Sequence, residues 1–150
     1  MKIISYKKHI DKLVTRTLLL PSDKQGQFIG TELATLSDGM TYVSMPVTAA
    51  LPTQPKEISA SVKTVVLTAA IRSEIKSLSP HVSLINERVG EKIREQYSLS
   101  DELKLARISI GDLRKSYAAT PDELQAVTDY QVAVESARAW GRSEKAALGL

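Results

Sequence analysis

Cysteine is absent from the 150 residues, which excludes a disulfide framework, a thiolate metal site and a catalytic thiol together. Histidine is almost as scarce. His9 and His81 each lie beside a hydrophobic segment with no clustered Asp or Glu, the setting of a surface or helix-start imidazole rather than of a metal ligand or general base. No run approaches the roughly 18 consecutive apolar residues that a membrane span needs. The first twenty residues carry Lys7, Lys8, His9, Asp11, Lys12 and Arg16 inside their apolar stretches, so no signal-peptide core fits there. The expectation is a chain that is soluble and cytosolic at synthesis, with no membrane partner.

A strong excess of one charge is also missing. Lys and Arg number 20 against 17 Asp and Glu, and the resulting +3 is spread too evenly for the basic footprint of a dedicated nucleic-acid binder. The glycine-rich phosphate loops and the Gly-x-Ser-x-Gly nucleophile elbow are absent as well. No cofactor, metal or catalytic residue is therefore expected, and no enzymatic activity.

What the sequence does contain is a change of period. A chain of this length can bury about 68–70% of its unfolded surface as one domain. Residues 2–66 alternate short β-prone runs with turn residues: Ile3-Ile4-Ser5-Tyr6, then 14–20 ending at Pro21, then 28–36 and 40–45 on either side of Ser37-Asp38-Gly39. An Asp-Gly pair can supply the positive φ angles of a tight hairpin. Pro46, Pro52 and Pro55 confine 48–56 to extended or loop structure, and the alternation of Ile58, Ala60, Val62, Thr64 and Val66 predicts a last strand.

Beyond Leu67 the spacing becomes helical. Thr68 caps a helix to about Leu78, and Ser79-Pro80 starts another with Val82, Ile85, Val89 and Ile93 on one stripe. A third helix begins at Ser98 or Ser100, carries Leu99, Leu103, Ala106 and Ile110 inward, and stops at Gly111. Thr120-Pro121-Asp122-Glu123 reads as a capping box opening a long helix to about Ala147. The fold expected is α+β: an N-terminal antiparallel sheet with hairpins over about 2–66, then a bundle of three to four helices over 67–150, integrated into one domain.

Two acidic pairs, Asp101-Glu102 and Asp122-Glu123, resemble acid/base couples, but each falls in the first turn of a predicted helix, where carboxylates complement the helix dipole. Arginines and lysines at 88, 92, 94, 138, 142 and 145 are interleaved with glutamates at 87, 91, 95, 135 and 144. That is the pattern of a solvated face rather than of a phosphate-binding stripe. On the last helix a main stripe of Val127, Tyr130, Val134, Ala137 and Gly141 is accompanied by a second row of Val132, Ala139 and Ala146. Two readings follow: a helix buried between two parts of its own domain, or one that receives another chain. Trp140 falls on neither row. It is either a core anchor reached from the flank or an interface anchor, and with Arg138 and Arg142 it forms the candidate contact. Tyr42, on the Asp-Gly hairpin, is the second candidate, because such a hairpin can project or pair with a neighbour's strand edge.

Three stretches, LPTQPKEISASV at 51–62, SPHVSLINERVGEKIREQYSLSDELKLARISIG at 79–111 and ESARAWGRSEKAALGL at 135–150, together resemble small proteins encoded in the structural, especially tail, modules of tailed bacteriophages and prophages. The resemblance implies a virion component of the tail, baseplate or fibre attachment. Its partners would be other phage structural proteins, in multiple copies within a symmetric assembly. It would be located in the virion, and in the host cytoplasm during assembly. A tail or tail-fibre assembly chaperone is the alternative, and a phage regulator of host protein or DNA is an alternative of another class.

Overall fold

The computed structural model describes residues 1–150 and is α+β: an N-terminal antiparallel sheet followed by C-terminal helices. The chain packs as two compact units, residues 1–84 with 145–150 and residues 85–144. These limits differ from the 66/67 division that the change of period suggested, because residues 67–84 and 145–150 belong with the sheet.

In the first unit, β1 (Lys2–Lys7), β4 (Thr31–Thr35), β5 (Met40–Met45) and β6 (Lys63–Val65) form one sheet in the order β4-β5-β1-β6, with every pair antiparallel. Both faces are covered. Ile3 and Tyr42 pack with Leu33, Leu36, Leu67, Ile75, Val82 and Leu150, while Ile4, Tyr6, Val43 and Met45 pack on the other side with Leu18 and Ile58. A strand buried on both faces needs apolar residues at successive positions, which explains why Ile3-Ile4 and Tyr42-Val43 do not alternate with polar ones. A bulge between Glu32 and Ala34 turns both Leu33 and Ala34 toward the first cluster. Tyr6 is almost fully buried; that burial, and then the nearby Glu32 carboxylate, push its phenol up to about 12, against the opposing backbone hydrogen bond that Leu18 donates.

The hairpin between β4 and β5 forms as expected, with the three residues Ser37-Asp38-Gly39 as its loop between Leu36 and Met40. Only Gly39 has positive φ, at +79°; the Gly39 amide donates to Leu36 O at 2.9 Å and Asp38 Oδ1 accepts from the Met40 amide at 2.8 Å. The strand expected over 14–20 is shorter. Its first part, β3 (Val14–Arg16), pairs with β2 (His9–Asp11) in a separate, exposed hairpin. The alternation at 58–66 also misled in part: Pro55 precedes a single helical turn, α1 (Lys56–Ser59), which buries Ile58 completely, and strand begins only at Lys63.

Helix starts lie where the capping residues are. Thr68 Oγ1 accepts from the Ile71 amide at the start of α2 (Ala69–Leu78), and α3 (Pro80–Arg94) follows Ser79. Ser98 and Asp101 form a reciprocal capping box at α4 (Leu99–Leu113), as do Thr120 and Glu123 at α5 (Pro121–Ala147). Gly111 does not stop α4. The helix ends two residues later with Lys115 in the left-handed region, its amide on Asp112 O and that of Ser116 on Gly111 O. Gly111 instead gives Tyr117 a place to lie, since an added Cβ would meet the Tyr117 Cβ at 2.9 Å.

The inward face of α4 is the main correction to the helical part. Leu105 and Ile108 are buried with Val127 of α5, whereas Leu99, Leu103, Ala106 and Ile110 face solvent. The helix is apolar on two sides, and periodicity alone does not say which side its own core takes. At the far end of α5, Gly149 (φ +80°) donates to Ala146 O and Leu150 to Lys145 O, an αL termination that turns Leu150 into the sheet's first core cluster. The Arg72 guanidinium ties this end down through Gly149 O at 3.1 Å.

Candidate functional site

Within the second unit, α3 and α5 meet at Gly141. A Cβ placed there would lie 2.6 Å from Val89 Cγ2 and 3.7 Å from Ile85 Cγ2, so the helices are closer than an alanine would permit. Ala137, one turn earlier on α5, is also buried. This approach sets the position of the neighbouring Trp140, which is partly buried, with Lys92 Nζ 4.8 Å from its ring centroid. A cation over an indole face at such a site contributes about 0.5–1 kcal/mol.

Beside this pair runs an open groove of about 670 Å³, bounded by Lys92, Glu95 and Tyr97 on one side and by Asp129, Val132 and Trp140 of α5 on the other. Tyr97 is fixed by an edge-to-face contact with Tyr130, centroids 5.1 Å apart and planes at 75°. The walls thus pair aromatic and aliphatic surface with a rim carrying both signs of charge. Ser136, which lines the groove, has no hydrogen bond to a base, and no three His, Asp or Glu side chains come together to hold a metal ion. The arrangement suits an apolar side chain of a polypeptide laid against Trp140, with its flanking polar groups met at the rim.

The residues singled out in the sequence are not brought together. Trp140 lines the groove, but Arg138 and Arg142 do not share its face. Two residues along a helix is a turn of about 200°, so both arginines project from the opposite side of α5. Arg142 pairs there with Glu135 at 2.8 Å, both well exposed, and holds that carboxyl below its usual range. Arg138 lines a separate shallow depression with Tyr130 and Val134. Tyr42 is corrected too: it is 5% exposed in the sheet's core, on a strand paired on both sides, and offers neither a side chain nor an edge to a partner. Burial raises its phenol above the ordinary value, with the Asp38 and Glu74 carboxylates adding to the effect.

The two acidic pairs lie at helix starts. The Ser98 hydroxyl and amide hold Asp101 below the usual carboxylate range, and the Thr120 amide, then the Tyr117 hydroxyl, do the same for Glu123. His9 and His81 are exposed. Of the second row on α5, Val132 is 64% exposed and forms a groove wall, and Ala139 and Ala146 face solvent. Sequence reasoning missed Lys92, whose partner is 48 positions away, and the role of Gly141 as the contact point. A glycine on the apolar stripe of a long helix was the available signal for the latter. No helix is long and apolar enough to cross a membrane.

No family model matches the chain, and neither does any curated protein or solved structure.

Proposed function

We propose that this chain is a structural component of a tailed bacteriophage particle, at the tail, baseplate or fibre attachment, working through protein–protein contacts and not by catalysis. The observation that carries the reading is the Trp140 groove: an aromatic left partly open, braced by Lys92, and set among Tyr97 and Val132 with a mixed-charge rim. Partly exposed tryptophan in a concave, mainly non-catalytic setting is the typical anchor point of a protein interface. The resemblance of residues 51–62, 79–111 and 135–150 to phage tail-module proteins supplies the context, and two of those stretches contribute groove residues.

The experiment is protein gel analysis of purified particles from the phage or induced prophage that encodes the chain, repeated with Trp140→Ala. The chain should be present in stoichiometric amount, and the variant should melt within a few degrees of wild type yet fail to be incorporated. A chain absent from the particles would sink the virion reading. A Trp140→Ala protein that is incorporated normally would remove the groove from the contact.

A further inference from the structure

The apolar side of α4 that its own core does not use has a spacing of its own. Leu99, Leu103, Ala106, Ile110 and Leu113 recur at intervals of four, three, four and three, the a/d pattern of a coiled-coil seam. They are open to solvent: Leu99 is 65% exposed, Leu103 53%, Ile110 52% and Leu113 80%. Leu105 and Ile108, which bind α4 to α5, lie on the other side of the helix. Nothing in the second unit covers the seam.

We infer that the α4 seam is a self-association surface, on which a second copy of this chain packs its own α4 in parallel as a short two-stranded coiled coil. Charge selects the occupant and its direction. With Leu99 and Leu113 at d and Leu103 and Ile110 at a, Glu102 falls at g and Arg107 at e, on opposite flanks of the seam. In a parallel pair each Glu102 meets the partner's Arg107, giving two opposite-charge contacts related by the twofold axis. An antiparallel pair would instead bring Arg107 against its own copy. Glu102 is held on its flank by the Tyr130 hydroxyl, 3.4 Å from Oε2, a long bond that leaves Oε1 for the arginine. Ala106 occupies the central d layer and lets the two backbones approach.

Two heptads are too few for isolated helices to pair, because the helix must form as they associate. Here α4 is preformed. Its start is locked by the Ser98–Asp101 capping box and its inner face by Leu105 and Ile108, so association orders only side chains.

The test is sedimentation equilibrium of the full chain from about 1 μM to 1 mM, the range a small interface calls for. The wild type should pass from monomer to dimer, and Leu103→Glu should weaken association at least about a hundredfold, since each dimer loses two buried leucines. Leu103 is exposed, so the variant should keep the wild-type melting curve at low concentration. Direction is read from Leu113→Cys in this otherwise cysteine-free chain, which should oxidise to a disulfide-linked dimer, as a parallel seam sets that position against itself. A wild type that stays monomeric throughout would overturn the proposal, as would a dimer indifferent to Leu103→Glu or a trimer. A dimer in which Leu113→Cys does not cross-link would overturn the parallel arrangement.

Discussion

Replacing Gly141 by alanine should destabilise the protein, although the same change elsewhere in its helices should stabilise it. Glycine to alanine inside a helix gains about 1 kcal/mol through backbone entropy. At Gly90 of α3 that gain should be realised, since an added Cβ meets only Arg94 Nη1, at 3.8 Å, the end of a flexible side chain. At Gly141 the added carbon would lie 2.6 Å from Val89 Cγ2, roughly 1 Å inside the ~3.5–4.0 Å separation that carbon pairs prefer. Valine in a helix has essentially one rotamer, so Val89 cannot swing aside and the helices must part. Overpacking of this kind costs about 1–3 kcal/mol. Against the ~1 kcal/mol propensity gain the net is a loss of up to about 2 kcal/mol, and the two alanine variants should differ by about 2 kcal/mol, or about 4–8 °C in Tm for a chain of this size. Urea denaturation followed by far-UV circular dichroism and by the fluorescence of Trp140, the sole tryptophan, gives the comparison directly. Adding Val89→Ala to Gly141→Ala should recover part of the loss. Equal stabilisation by Gly90→Ala and Gly141→Ala would refute the close α3–α5 approach, and with it the positioning of the Trp140 groove.

Two further predictions concern local devices. Gly39→Val should cost about 1–2 kcal/mol, because φ is +79° there and a β-branched residue is strained at that angle even though Lys7 Cε, 3.8 Å away, leaves room for a Cβ; an unchanged Tm would contradict the turn. The lowered Asp101 carboxyl makes the α4 cap pH-dependent. Its folded value lies below the unfolded one, so the contribution is complete above the unfolded carboxylate value of about 4 and disappears as pH falls through the lower folded value. Asp101→Asn should flatten that acid limb in denaturation midpoints measured between neutral pH and about pH 2, and an unaltered limb would place the acid sensitivity elsewhere.

The parts of the fold legible in the sequence are those whose determinants sit within a few residues of one another. Thr68, the Ser98–Asp101 pair and the Thr120–Glu123 pair each satisfy amides in their own first turn, so the helix starts could be placed from spacing, at α4 to within the choice of Ser98 or Ser100. The Asp38-Gly39 turn was legible for the same reason, although within it Gly39 alone takes the positive φ. Tyr42 falls outside any contact because the hairpin expected to project or offer a strand edge has its β5 paired on both sides, in a sheet covered on both faces by groups as distant as Leu150 and Ile58. The strand expected from Ile58 onward failed similarly: one isoleucine buried by a helical turn after Pro55 produces the same alternation as a strand.

The candidate contact divides along that same line. Trp140 could be singled out as an exceptional residue, yet its brace, Lys92, comes from another helix and no local pattern announces it. Grouping it with Arg138 and Arg142, by contrast, was avoidable, because positions two apart on a helix point about 200° apart whatever the tertiary structure. The stripe on α4 was read correctly as a stripe and assigned to the wrong side. A helix with one apolar face must bury it within its own domain, but one with two has a face to spare, and only the packing of Leu105 and Ile108 against Val127 decides which. The residues then left in solvent, Leu99 through Leu113, follow the strict four-three spacing of a seam, whereas the two residues that serve the core follow no repeat at all. A regular heptad has no use in the irregular interior of a small helical unit. Its regularity is itself the physical reason to look for a second helix outside the chain.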